Sequence, residues 1–505
     1  METLSLFGGA LLKTLGLGIL PYLAFGVAGG IAIGSLPGLT ATMGVAVLLP
    51  ITFGMSSSVG MAVLIGVYVG AIYGGSISAI LLKTPGTPAA AATVLDGHEL
   101  ANQGLAAKAL SISTIASFTG GMISTIILVT VSPWLASMAL KFSAPEYFML
   151  AVFGLSIIGS ISGKSILKGL MAGIFGLMIS TVGLDYVTSY PRFTFDQLEL
   201  YNGPPIIPVL VGLFAISEAF VQMEKLGAEK DEEVFTGFKR SWISMAELRQ
   251  IMPTMIKSGL IGTFIGAIPG AGADIAAFVT YNEARRSSKN RDMFGKGALE
   301  GVAAPESGNN GVTGGAMIPL LTLGVPGDAV TAILLGALII QGLQPGPLLF
   351  SEAPDFVYGI FTSLFVGNIL MLLFGLLGIK LFCRVVELRK CYIIPLILTL
   401  SIVGAFSMNN SMFDVWVCLL FGVIGYLMQK AEIPSSPIIL AVILGPMAES
   451  NLRRALLMYE GSYSFLWTRP ITGLFILATL FSVFSSWRHN RKKTRAMLKH
   501  GSGGK

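Results

Sequence analysis

Apolar runs of about bilayer length recur along the whole chain, separated by short polar stretches. The clearest are residues 59–82, 110–131, 147–161, 166–184, 206–221, 356–382, 393–406, 415–428, 438–447 and 465–484. Two further apolar segments are each interrupted by a Pro-Gly pair, in "GSLPGLTATMG" (34–44) and "GAIPGAGADIA" (266–276). At about 20 residues per span, the pattern predicts an all-α polytopic membrane protein with about 11 to 14 transmembrane helices or hairpins.

Composition narrows the function classes. Only 12% of the 505 residues are charged, 53% are hydrophobic and the mean hydropathy is +0.77, where soluble domains carry about 25% charged residues. The net charge of +6 does not signal nucleic acid, because seven Lys and Arg lie in the last 18 residues, directly after the last apolar run. That placement marks a cytoplasmic C-terminus, with anionic membrane lipid as a secondary partner. Cys383, Cys391 and Cys418 are too scattered for a disulfide framework or metal cluster. The first apolar stretch has one Lys and no small-residue cleavage site, so it reads as retained rather than as a signal peptide. HExxH, GxxxxGK[ST] and GxSxG are absent, which argues against an enzyme and a resident cofactor. "DGHEL" (96–100) holds Asp96, His98 and Glu99; with no matching cluster of acids or histidines elsewhere to complete a metal site, it reads as a loop or helix start rather than as a metal ligand set.

The strongest organisational signal is an internal repeat. Gly26, Gly30, Gly34 and Gly38 run at four-residue spacing into Pro37-Gly38; Ser258, Gly262, Gly266 and Gly270 run likewise into Pro269-Gly270, 232 positions later. A second pair follows, "YGGSISAILLKTPGTPAAAAT" (73–93) and "TGGAMIPLLTLGVPGDAVTA" (313–332), with Pro85-Gly86 and Pro326-Gly327 offset by 241. Lys and Arg in matching loops alternate. "PITFGMSSS" has none where residues 282–297 have five, whereas residues 83–108 carry Lys83 and Lys108 and residues 324–355 none. Matching loops on opposite membrane faces imply an inverted repeat. The chain then divides into a first transmembrane repeat (1–221), a charged cytoplasmic linker (222–254), a second repeat (255–486) and a basic cytoplasmic tail (487–505). Residues 255–281 read either as a re-entrant hairpin, which the loop charges favour, or as one broken span.

A backbone opened within the bilayer must be buried in protein or face a watery cavity. Each Pro-Gly leaves a fresh helix N-terminus, suited to an anion, and freed carbonyls, suited to a small cation. Paired interruptions in two inverted halves point to the central site of a transporter. The substrate-site candidates are Pro37, Gly38, Thr40, Thr42, Thr84, Pro85, Gly86, Thr87, Pro269, Gly270, Gly272, Pro326 and Gly327. For any single Thr, including Thr331, a bond to its own helix is the competing reading. Asp274 and Asp328, intramembrane acids by position, join Ser307, Asn309 and Asn310 of "GALEGVAAPESGNNGVTGG" (297–315) as a candidate coupling-ion set for Na⁺ or H⁺. Glu306 stands in the same stretch, which would otherwise cap the next helix. Lys83 either attracts an anion or snorkels to the interface.

The five motifs "GSLPGLTATMG", "YGGSISAILLKTPGTPAAAATVLDG", "GAIPGAGADIAAF", "FGKGALEGVAAPESGNNG" and "LGVPGDAVTAILLGAL" resemble those of the large membrane subunit of the tripartite tricarboxylate transporter family, over about residues 20–470. The resemblance implies a bacterial inner-membrane permease that takes up carboxylates such as citrate on a cation gradient. It also implies two partners, a small membrane subunit and a periplasmic solute-binding protein. The family's Pro-Gly motifs fall on the four pairs above, and its acidic-small-small-Asn-Asn signature on Glu306, Asn309 and Asn310. The sequence departs from some members at Leu39-Thr40, Asp274 and Asp328, positions suited to tuning substrate or coupling ion. A passive anion channel, an ATP-driven permease and a membrane-embedded enzyme on a lipid or small acid are the rival readings.

Overall fold

The computed structural model describes residues 2–156, 165–185, 188–225, 242–378, 381, 390–480 and 484. The basic tail, Cys383 and residues 226–241 of the linker lie outside the described residues. Helix dominates. The first part comprises α1 (Glu2–Leu15), α2 (Leu20–Ser35), α3 (Ala41–Thr52), α4 (Ser57–Leu82), α5 (Val94–Asn102) and α6 (Ala106–Ala139). There follow α7 (Ala144–Ser156), α8 (Ile166–Ser180), α9 (Ile206–Val211) and α10 (Ser217–Lys225), the last two joined by a π turn over Gly212–Ile216. The later part comprises α11 (Met245–Gly266), α12 (Gly272–Ser287), α13 (Leu299–Leu323), α14 (Ala329–Ile340), α15 (Leu349–Glu352) and α16 (Pro354–Leu377). It closes with α17 (Lys390–Asn409), α18 (Met412–Lys430), α19 (Ser436–Met458) and α20 (Phe465–Thr468). Among the described residues the one sheet is a hairpin pairing Gly183–Leu184 with Pro191–Arg192.

Among the described residues, six helical stretches are long and apolar enough to cross a membrane, and the pair α1–α2, bent by 77°, brings the number to seven if it counts as one span. Further apolar segments form shorter helices, among them α3 and α14, each directly after a Pro-Gly pair. Such half-length helices are what Pro-Gly interruption produces.

The chain forms two compact units, one from Met1–Leu140 and Ile207–Tyr426, the other from Lys141–Ile206 and Leu427–Lys505. All four Pro-Gly pairs lie in the first. At its centre, α4 is buried at every residue from Gly60 to Leu81, and α13 at every residue from Gly301 to Thr322. Each packs on a partner through glycine. A Cβ on Gly30 of α2 would stand 2.5 Å from the Val67 carbonyl oxygen of α4, and one on Gly262 of α11 would stand 2.0 Å from that of Gly308 in α13. Such backbone-on-backbone approach admits no larger residue.

In the second unit α7 and α8 pack on α19, with Gly176 against Ile438. Arg192 and Arg453 pair with Asp185 and Glu449, and Arg469 pairs with Glu146.

Candidate functional site at the four helix breaks

Pro37-Gly38 separates α2 from α3, with Gly38 at φ +89°, a left-handed turn that glycine permits without strain. Thr40 caps α3, its hydroxyl accepting the Met43 N–H at 3.1 Å, and Thr42 is half-buried in the first turn. Above Gly38 lies Gln222 of α10, whose Nε2 donates to the Gly38 carbonyl at 3.4 Å and to Glu218 at 2.8 Å. The Gln222 side-chain oxygen is buried without a partner.

Pro269-Gly270 repeats this turn between α11 and α12, with Gly270 at φ +81° and Gly272 at +69°. Lys257 of α11 meets Glu283 of α12 at 2.6 Å. These residues are 26 positions apart, and one straight helix would hold them about 40 Å apart. The segment therefore folds back on itself as a hairpin. Asp274 is exposed in the first turn of α12.

The other two breaks dock onto the first pair. Gly86 donates its N–H to the Gly75 carbonyl at 3.2 Å, and a Cβ on it would stand 2.0 Å from the carbonyl oxygen of Gly34. Gly327 sits in the matching place, where a Cβ would stand 2.6 Å from Ala316 Cα and 2.7 Å from the Gly266 carbonyl oxygen. Gly270 then donates to the Gly327 carbonyl at 2.6 Å, so two breaks of the second half touch directly. Thr84 hydrogen-bonds the Leu82 carbonyl and Lys83 is exposed at φ 61°. Thr87 begins a 3₁₀ turn (Pro88–Ala90) and is buried, its hydroxyl oxygen without a partner.

Asp328 caps α14 by accepting the Thr331 N–H at 2.8 Å, and Thr331 returns the bond to the Asp328 N–H. The other carboxylate oxygen of Asp328 accepts from Tyr68 of α4 at 2.6 Å. This bond crosses from the first half to the second.

Glu306, Ser307, Asn309 and Asn310 do not cap a helix. They lie inside α13 and are fully buried. Ser307 turns toward α11 and donates to the Met255 carbonyl at 2.7 Å. Asn309 donates to the Ala89 carbonyl at 3.0 Å and accepts from Asn310 at 2.8 Å, tying α13 to the second break. The coupling-ion candidates thus occupy separate places: Asn309 and Asn310 at the second break, Asp328 at the fourth, Asp274 at the third, and Ser307 on the α11 side.

A family comparison decides the identity. The sequence profile of the tripartite tricarboxylate transporter TctA family matches residues 20–440, a range holding all four breaks and α13. The chain belongs to this family. An uncharacterised 52.8 kDa protein from the TAR-I ttuC′ 3′ region of Agrobacterium vitis is 38% identical over 461 residues, covering 91% of each chain. An uncharacterised protein from the TAR-II ttuC′ 3′ region of the same organism is 36% identical over 234 residues, 46% of this chain and 97% of its own length. This TctA-family protein is a multi-pass membrane subunit of a tricarboxylate transporter.

Three features of this TctA-family chain had no signal in the sequence. Gln222, itself bonded to Glu218, reaches Gly38 from 184 positions away. Tyr68 sits within an unbroken apolar run. Asp96, in α5, accepts the N–H groups of Gly295, Gly297 and Ala298 and the Tyr281 hydroxyl. It pins the basic loop after α12 to the end of the second break; in "DGHEL" it has no visible partner. Outside the bilayer segments, Lys108 at the start of α6 and the Ser244 cap hold the Glu247 carboxyl down at about 2, fixing the start of α11 to α6.

Proposed function

We propose that this chain is the permease of a secondary active transporter that imports carboxylates, a tricarboxylate such as citrate or a dicarboxylate, on a Na⁺ or H⁺ gradient. It works in the bacterial inner membrane with its C-terminus cytoplasmic. A periplasmic solute-binding protein delivers the substrate, and a small membrane subunit completes the complex. The two repeats are inverted, and alternating access moves the site at the breaks between the two sides.

One observation carries this reading: equivalent breaks carry opposite chemistry. Thr42 matches Asp274, 232 positions on, and Thr87 matches Asp328, 241 positions on. At Thr40–Thr42 and at Thr87 the two breaks of the first half present hydroxyls and no acid of their own, which suits the substrate's anionic groups. In the second half each start carries an acid of its own, which repels a carboxylate and attracts a cation. The substrate is assigned to Pro37–Thr42 and Thr84–Thr87, with Pro269–Gly272 and Pro326-Gly327 completing the enclosure. The coupling ion is assigned to residues of the second half, to Asp274 and Asp328 at its breaks and to the buried Ser307, Asn309 and Asn310 of α13.

The test is uptake of labelled citrate and dicarboxylates by membrane vesicles holding all three components, with Na⁺ and pH gradients imposed separately. Accumulation against a concentration gradient is expected with one of the two cations. Uptake that ignores both gradients contradicts coupling and leaves a passive channel.

A further inference from the structure

Glu306 is fully buried in the middle of α13. Thr93 donates its hydroxyl to Oε1 of Glu306, and Ser117 of α6 donates to Oε2 at 3.1 Å. Ser113 of α6, one turn before Ser117, donates instead to Ser76 of α4 at 2.6 Å. Among the described residues, no Lys, Arg or His pairs with it.

An isolated buried carboxylate is costly at this depth and needs a neutralising partner. The shell is suited to a partner that comes and goes. Serine and threonine hydroxyls donate to a carboxylate, accept from a carboxylic acid, or lend oxygen to Na⁺ by rotating about one bond. A fixed Arg would hold the charge permanently. Unused ligand capacity lies in the same segments: the Asn310 side-chain oxygen, one turn along α13, and the Thr87 hydroxyl, at the start of the turn that Asn309 grips, are both buried without partners.

Other ionisable groups on the surrounding helices are engaged elsewhere or reach the surface, as Arg249 of α11 does. On α5, Asp96 is held by three N–H groups and Tyr281, and His98 meets the Ile80 carbonyl; Glu99, also on α5, is only partly buried. On α6, Lys108 pairs with Glu247 of α11. On α4, Tyr68 bonds Asp328 and Tyr73 bonds Thr114. Lys257 of α11 and Arg286 pair with Glu283 of α12, where Asp274 and Arg285 are exposed.

We propose that Glu306 is the carboxylate on which the coupling cation, a proton or Na⁺, is bound and released. The cation leaves water on one side, neutralises Glu306 and returns to water on the other. The second break grips this carboxylate through Thr93, so its charge state bears on the segment assigned to the substrate. This inference rests on the permease reading and places coupling at Glu306 rather than at Asp274 or Asp328 alone.

Two measurements test it on Glu306→Gln and Glu306→Asp, each first shown to be monodisperse with an unchanged melting temperature. The first is infrared pH titration of the full chain in liposomes. A buried protonated-carboxyl band is expected to titrate in wild type and to vanish in Glu306→Gln. A midpoint unaffected by Na⁺ identifies the proton; one that falls as Na⁺ rises identifies Na⁺. A Glu306→Gln spectrum identical to wild type overturns the proposal.

The second is citrate flux in vesicles of the complete transporter. Glu306→Gln is expected to lose gradient-driven accumulation at least tenfold while keeping citrate exchange; Glu306→Asp is expected to retain a cation response. Gradient-driven accumulation at the wild-type level in Glu306→Gln overturns it. If wild type moves neither citrate nor a dicarboxylate, the carboxylate reading fails, and the infrared comparison still decides whether Glu306 takes up the cation.

Discussion

Gly86 and Gly327 occupy equivalent sockets, the first against Gly34 and Gly75, the second against Gly266 and Ala316. Each socket neighbour lies at the same offset, 232 or 241, from its counterpart. The residue that follows each glycine nevertheless differs in charge: Thr87 in one half, Asp328 in the other. The backbone packing is alike at the two sockets, while the side chains at the helix starts differ. In a symmetric pair of breaks, shape therefore comes from the glycines and chemistry from the residue beside them.

Substitutions that act on this comparison are ranked by expected effect. Gly86→Ala should be the most damaging, because its Cβ would stand 2.0 Å from a backbone oxygen and α2 must move. The expected loss is at least about 3 kcal/mol of stability, the upper part of the range for overpacking, read as lost thermal stability of the purified protein. Gly327→Ala, with its nearest approach at 2.6 Å, should cost less. Equal tolerance of both would mean that the sockets are looser than their geometry implies.

Exchanging chemistry between the halves should affect transport next. Thr87→Asp gives the first half the acid of the second and should reduce citrate uptake about 100-fold, some 2.7 kcal/mol. Asp328→Thr should instead weaken the cation dependence. If the two variants change substrate and cation dependence alike, the division of labour is wrong.

Tyr68→Phe leaves one oxygen of Asp328 without its donor, a loss of about 1–3 kcal/mol for a buried group. It should shift the cation concentration for half-maximal uptake more than that for citrate. The smallest effect belongs to Glu247→Gln. It breaks a pair only 15% and 29% exposed, lies away from the breaks, and should cost about 1 kcal/mol of stability with uptake unchanged. Because the folded state holds that carboxyl low, the stabilisation is present above the usual carboxylate range and lost as pH falls toward about 2.

The breaks were legible because Pro-Gly chemistry is local: proline removes a donor, glycine takes the left-handed turn, and both act where they stand. The class of fold was legible from span length. Helix α13 was not read as a helix. Its Pro305, Glu306, Asn309, Asn310 and glycines read as a polar, flexible stretch, yet a helix buried all round in protein needs no apolar face toward lipid. Most of its polar groups find partners in other segments, such as Thr93, 213 positions away. The Asp96 clasp and the Gln222 contact on Gly38 were hidden for the same reason. Each joins segments that a single sequence gives no means of pairing.

The most direct test of the central claim is an electron cryomicroscopy map of the complete transporter with citrate and its coupling cation. The account predicts carboxylate density at the helix starts of the first half, against Thr40–Thr42 and Thr87, with the cation on a carboxylate of the second half, Glu306 first among them. Citrate density at Asp274 and Asp328, or away from all four breaks, would contradict it.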